Sequence, residues 1–198
     1  NLVVLPERTS DPGAMGAVVW LGTYKAIKRP DWFVRLASDC PERRCIMAGV
    51  VPPPPLSREH WDLAIATAER IPNLEVRGFQ DSHQVSELLR GASLLVHTSP
   101  VEGFSNVLLE AWAHGVPTAS CVDPDGLVAR ERLGAVVTGY PDLLREVRGL
   151  LSDPAELRAA GQRARAYVAR CHAPGAVIDQ LAAVVDRVVA KVRSRRSR

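Results

Sequence analysis

HTSPVEGFSNVLLEAWAHGVP, residues His97 to Pro117, divides into a turn-forming half and an apolar half. Ser99, Pro100 and Gly103 mark a loop, and the segment after them stops at Gly115-Val116-Pro117, where Gly then Pro ends a helix. The predicted helix runs from Ser105 to His114. On it Asn106, Glu110 and His114 recur at i, i+4 and i+8, one polar stripe on an otherwise apolar cylinder. Glu110 stands alone among Val107, Leu108, Leu109, Ala111, Trp112 and Ala113. A carboxylate buried without partners is costly, so Glu110 requires an internal donor or a ligand's hydroxyls. Glu102 lies earlier, in the loop that feeds the helix N-terminus. Backbone N–H groups at such a terminus form a seat for phosphate. Two carboxylates about that seat point to a ligand with both a diphosphate and hydroxyl-rich groups.

Ser93–His97 (SLLVH) reads as the strand that delivers this stretch. Working outward, Ala17–Leu21 (AVVWL), Arg44–Val51 and Leu74–Gly78 are expected strands before it, and Thr118–Val122 and Ala135–Thr138 after it. Helices are expected from Pro30-Asp31, over Ser57–Arg70 with Ser57 as N-cap, and over Ser82–Arg90 with Gly91 as stop. Others are expected over Leu127–Leu133, Pro141–Leu151, Asp153–Cys171 and Val177–Val192. Pro52–Pro55 reads as a stiff spacer. Strands that alternate with helices through short loops give an α/β, Rossmann-like three-layer domain with a parallel sheet of about six strands. Ligands bind such sheets at the carboxyl ends of the strands. The loops TYKAIK, GFQDS and TSPVEGFSN each follow a strand and are expected to meet in one cleft. Residues 1–16 read as a turn-rich lead-in or linker, 17–172 as the main domain, 173–192 as a terminal helix and 193–198 as a basic tail.

The chain has 198 residues, 46% hydrophobic and 24% charged, enough for one substantial core. No apolar run approaches the roughly 18 residues that span a bilayer, and the N-terminus lacks a signal-peptide pattern. The sequence opens at Asn1-Leu2 without an initiator Met and is expected to be a piece of a longer protein. Net charge is +3, but KVRSRRSR at 191–198 holds five basic groups and no acid, so residues 1–190 carry −2. Nucleic acid is therefore not an expected partner, while the basic tail is a candidate for contact with anionic lipid. Cys40, Cys45, Cys121 and Cys171 show no C-x-x-C pair, and reduced thiols in a cytoplasmic protein are expected. Asp123-Pro124-Asp125 has the spacing of a metal-binding D-x-D, but with Gly126 behind it reads as a turn. No metal site and no cofactor are expected.

Together these pieces resemble the donor-binding half of GT-B-fold retaining glycosyltransferases of the family 4 type, over roughly residues 17–172. The strongest motif is E-x7-E, Glu102 to Glu110, preceded by Thr98-Ser99 and followed by Gly115-Val116-Pro117. The second is Gly22 followed six residues later by Lys28, and the third is Val76-Arg77-Gly78-Phe79. The resemblance implies that Glu102 binds donor-sugar hydroxyls and Glu110 the ribose hydroxyls. It places the diphosphate on the backbone at Phe104, Ser105, Asn106 and Val107, with Ser99, Gly103, Gly22 and Thr23 close by. Lys28 would neutralise the departing diphosphate, and Gly78 and Phe79 would border the base. The family favours Arg directly after the first-loop glycine. Here Thr23 supplies a hydrogen bond but no charge, which leaves Lys28 the main cationic candidate, with Lys25 as a possible substitute.

The expected function is hexose transfer from a nucleoside diphosphate sugar, by a cytoplasmic enzyme peripheral to the membrane's inner face. It also implies an N-terminal acceptor-binding domain that residues 1–198 do not supply, and little activity without it. Two alternatives share the architecture: a non-catalytic nucleotide-sugar-binding module, and a sugar-nucleotide epimerase-like domain that has no need of E-x7-E. A flavodoxin-like signalling domain explains the fold but not Glu102, Glu110 and Lys28 together.

Overall fold

The structure, a computed structural model, describes residues 1–13, 15–50, 59–68 and 70–196. Six strands form one sheet: β1 Ala17–Thr23, β2 Cys45–Val50, β3 Leu74–Arg77, β4 Ala92–His97, β5 Thr118–Ser120 and β6 Gly134–Val136. Their order is β3-β2-β1-β4-β5-β6 and every pairing is parallel. The strand order reverses between β1 and β4, and that reversal is where a doubly wound sheet opens its ligand crevice.

Period-2 alternation divides the β1 side chains between two cores. Val19 and Leu21 face a cluster containing Leu89, Leu108, Leu109, Trp112 and Val168. Val18 and Trp20 face the opposite cluster, with Phe33, Leu36, Met47, Leu143 and Val147. The first cluster is supplied by helices α3 Ser82–Arg90, α4 Asn106–Ala113 and α7 Pro154–Cys171, the second by α1 Pro30–Asp39 and α6 Tyr140–Ser152. Helices α2 Glu59–Ala68, α5 Leu127–Glu131 and α8 Pro174–Arg196 complete the set. Both sheet faces are covered, as the continuous apolar runs of β1 and β4 require.

Helix ends follow the expected chemistry. Asp81 and Gln84 close a capping box on α3, Asp153 Oδ1 accepts from Ala155 N and Glu156 N on α7, and Gly115, at φ +75°, leaves α4. Asp123-Pro124-Asp125 leads a 3-10 turn, with Asp123 Oδ1 accepting from Val128 N at 2.6 Å. Pro52–Pro55, the cap at Ser57 and the side chain of His60 lie outside the described residues.

Three expectations are corrected. The strands β3, β5 and β6 are shorter than expected; Ser120, for example, turns back on itself, its hydroxyl bonding both N and O of Val122. The last helix starts at Pro174 rather than Val177 and continues to Arg196, so most of the basic tail is helical. Proline at the first helical position lacks only an N–H that is orphaned anyway, and Lys and Arg are good helix formers. The lead-in, finally, is not slack. Val3 N bonds His172 O, Ser10 N bonds His114 O, and Arg165 donates to Pro6 O, while Val3 and Leu5 pack on the first core. It forms a strap over α4 and α7.

Candidate functional site

Two adjoining pockets open at the carboxyl ends of the strands. The first, about 320 Å³, is lined by Trp20, Leu21, Gly22, Thr23, Lys28, His97, Thr98, Ser99, Glu102 and the run Phe104–Val107. The second, about 270 Å³, is lined by Gly22, Thr23, Gly49, Phe79, Val107 and Glu110 among others. Leu21, Gly22, Thr23 and Val107 belong to both, so the two form one bipartite cleft. The three expected loops do meet there. A groove of comparable size between α1 and α2 is lined by Val34, Leu63 and Ile71 and by no strand end.

Glycine is required where β1 and β2 approach at this mouth. A Cβ on Gly49 would lie 1.6 Å from Gly22 O, and one on Gly22 would lie 2.9 Å from the Trp20 indole. Beyond Gly22 the chain makes a 3-10 turn, Ala26–Lys28, and leaves it through Arg29 in a left-handed conformation at φ 47°. The Arg29 guanidinium lies over the Trp32 ring, 4.5 Å from its centroid. This turn projects Lys28 into the first pocket, where its ammonium pairs with Glu102. Burial pushes the Glu102 carboxyl up, but the hydrogen bond and charge of Lys28 outweigh it and hold the group below its ordinary value.

His97 ends β4 beneath that pair. Its Nε2 lies 3.6 Å from Glu102 Oε1 and its Nδ1 3.4 Å from Ser120 Oγ. Burial lowers its pKa against the pull of Glu102, which favours the neutral ring. Thr98 accepts from Trp20 Nε1 at 2.9 Å and donates to Lys28 O. Ser105, the N-cap of α4, makes no side-chain capping bond. The first-turn N–H groups of α4 are thus left to the pocket that Ser105, Asn106 and Val107 line.

Glu110 sits one helical turn farther along, in the second pocket. Burial raises its carboxyl above the ordinary range, and among the described residues no donor is bonded to its side chain. The internal partner allowed by the sequence is therefore not found among the described residues, and the side chain, half-buried rather than buried, opens onto the pocket. The rest of the polar stripe divides: Asn106 is exposed at the cleft, whereas His114 is 7% exposed and joins α3 to α4 through Ser86 Oγ (2.9 Å) and Glu110 O (2.8 Å).

The cleft brings together Gly22, Thr23, Lys28, Phe79, Ser99, Glu102, Phe104, Ser105, Asn106, Val107 and Glu110. Gly78 and Gly103 are not lining residues: Gly78 O accepts from Gly49 N, and Gly103 is exposed with open space around it. Lys25 is exposed and lines neither pocket. Thr98 was named only as a flank of the E-x7-E motif, and Trp20, His97 and Gly49 were not singled out by motif. Their only sequence signal is position, at or just past the carboxyl end of a strand.

The fold is shared with solved structures. Sucrose-phosphate synthase from Thermosynechococcus elongatus superposes with a TM-score of 0.78 at 20% identity, covering 96% of this chain and 51% of its own. A glycosyltransferase from Rickettsia africae gives 0.71 at 13% identity over 94% and 57%. Anabaena HepE in complex with UDP-glucose gives 0.71 at 16% identity over 88% and 50%. The chain thus spans about half the length of these proteins, and its fold is one Rossmann-like half of a GT-B architecture. No curated protein sequence matches it. The family model described as Glycosyl transferases group 1 matches residues 16–153, and the chain belongs to that family.

Proposed function

We propose that this chain is the nucleotide-sugar donor domain of a retaining glycosyltransferase that moves a hexose-type sugar from a nucleoside diphosphate to a glycan or lipid-linked acceptor. The supporting observation is the bipartite cleft: a half bearing Lys28, Glu102 and the α4 N-terminus adjoins a half bearing Glu110 and Phe79. The first half suits a diphosphate and sugar, and the second a ribose and base. The UDP-glucose named in the HepE complex is a ligand of that chemistry.

Departure of a nucleoside diphosphate from an anomeric carbon builds negative charge on the leaving oxygen. On this reading Lys28 and the N–H dipoles of α4 would meet that charge as it grows, and would favour the transition state over the ground state. Glu110 would take the ribose hydroxyls, which would give its half-buried carboxylate hydrogen-bond donors. Glu102 would take sugar hydroxyls. On this reading the reaction proceeds without a metal, and an N-terminal acceptor domain is needed for turnover. That domain would cover α8, which exposes Ile178, Leu181, Val184, Val185 and Val188 along one side. The basic residues that follow would face anionic lipid at the inner membrane surface of the cytoplasm. No helix among the described residues is long and apolar enough to cross a membrane.

A thermal-shift and calorimetric panel with UDP, GDP, ADP and their sugars tests this. Ligand at about 100 times its Kd should add roughly 2.7 kcal/mol of stability. No stabilisation by any of them at millimolar concentration refutes the donor-domain reading.

A further inference from the structure

The cation that faces the diphosphate in the reading above sits on a short loop, and a lysine on a loop delivers charge only where its backbone is held. The 3-10 turn Ala26–Lys28 is three residues long and ends in the left-handed Arg29. Its internal bonds, Lys28 N to Lys25 O and Arg29 N to Ala26 O, fix the shape of the turn but not its place over the sheet. The Lys28 carbonyl is bonded across the cleft instead, by the hydroxyl of Thr98, the first residue past β4.

That hydroxyl is committed on both sides. It donates to Lys28 O and accepts from the Trp20 indole N–H at 2.9 Å. Thr98 is wholly buried and Trp20 is 2% exposed, so the bond between them is sheltered from bulk water, while the bond to Lys28 O is part-buried. The indole is itself held. It packs at a tilt on Tyr24 with ring centroids 5.4 Å apart, and the one Tyr24 hydroxyl proton is shared between Met47 O (3.1 Å) and Arg77 O (2.9 Å). Gly22 carries no side chain where the indole passes, since a Cβ there would meet the ring at 2.9 Å. A rigid line therefore runs from strands β2 and β3 through Tyr24 and Trp20 to Thr98, and ends on the backbone of Lys28.

We propose that Thr98 and Trp20 are positioning residues that set Lys28 against the diphosphate of the donor. The proposal rests on the donor-domain reading and assigns these two side chains no contact with the reacting atoms. Its consequence is specific: removing the Thr98 hydroxyl should weaken binding of a diphosphate and spare binding of a nucleoside, because only the former needs Lys28 in place.

Calorimetry with UDP, GDP and ADP identifies the tightest diphosphate, which is then titrated beside its nucleoside into Lys28→Ala, Thr98→Val, Thr98→Ser, Trp20→Phe and Lys28→Ala/Thr98→Val. Loss of one or two buried hydrogen bonds corresponds to about a 3- to 10-fold weaker diphosphate in Thr98→Val. Nucleoside affinity should stay within twofold. Thr98→Ser, which keeps the hydroxyl, should bind like the parent, and Trp20→Phe should fall between. In the Lys28→Ala background, Thr98→Val should cost less than twofold more, because the residue it positions is gone. A Thr98→Val loss that persists undiminished in that background, or that is equal for nucleoside and diphosphate, overturns the proposal. So does a Lys28→Ala loss that neither Thr98→Val nor Trp20→Phe reproduces in part. If Lys28→Ala itself leaves diphosphate affinity intact, the role of Lys28 falls first and the positioning role with it. Thr98→Ser and Trp20→Phe keep the test decisive should Thr98→Val fail to fold.

Discussion

Glu102→Gln should make this chain bind a bare nucleoside diphosphate more tightly and its sugar conjugate more weakly. Lys28 is paired with Glu102, at side-chain exposures of 28% and 20%. A diphosphate must draw Lys28 away and leave the carboxylate unpaired. A partly exposed pair is worth up to about 1 kcal/mol, so its removal should tighten the diphosphate about fivefold. The sugar conjugate compensates the carboxylate with its hydroxyls, at about 1.5–3 kcal/mol for hydrogen bonds to a charged group. Glutamine keeps the shape and loses the charge, so the conjugate should weaken by roughly 2- to 30-fold once the fivefold gain is subtracted. The preference for conjugate over diphosphate should thus fall by roughly 10- to 150-fold. Paired titrations at low and high salt measure this, and the diphosphate gain should shrink as salt screens the pair. An unchanged preference, or equal weakening of both ligands, would refute the reasoning.

Glu110→Ala should weaken nucleoside, diphosphate and conjugate alike, by about 10-fold or more as hydrogen bonds to a charged acceptor are lost; calorimetry reads this directly. Without ligand the sign reverses in Glu110→Gln. Burial raises the Glu110 pKa above the 4.5 of an unburied glutamate, so its contribution to stability is present below that value and is lost as pH rises through the raised one. The melting temperature of Glu110→Gln should therefore exceed the parent's at pH 7, with the gap closing toward pH 4. Gly161→Ala would place a Cβ 2.1 Å from Gly115 O, between α7 and the end of α4, and should cost about 1–3 kcal/mol in urea unfolding. Trp112→Ala removes a fully buried side chain from the first core and should cost about 3–5 kcal/mol by the same assay.

The sequence disclosed the elements better than their arrangement. The helix on which the cleft depends was legible because Gly115 and Pro117 stop it and its apolar run leaves one carboxylate unexplained; the observed Asn106–Ala113 differs only at its caps. Strand existence was readable from apolar runs, whereas strand ends were not. They are decided by which neighbours remain to be bonded, and β6 pairs over three residues only. Glu102 and Lys28 were found by motif, but their pairing spans 74 residues and no local pattern encodes it. The same holds for Trp20, an ordinary member of an apolar strand, and Thr98, the residue that follows one, until the fold brings indole and hydroxyl together. Residues 1–13 carry no periodicity, since a strap held by backbone carbonyls and isolated side chains needs none.

That strap has a mechanical consequence. Its ties fall at separate residues along the chain: Asn1 at His172 Nδ1, Phe104 O and Asn106 Oδ1, the Val3 amide at His172 O, the Pro6 carbonyl at Arg165, and Ser10 at His114 O and Ala92 O. A tug on residue 1 would load them one after another, as tape peels from a surface, while the parallel strands behind must give way in shear and all at once. Stretched from its first residue in an optical trap, the chain should therefore yield in two stages, a low plateau followed by a single high rupture.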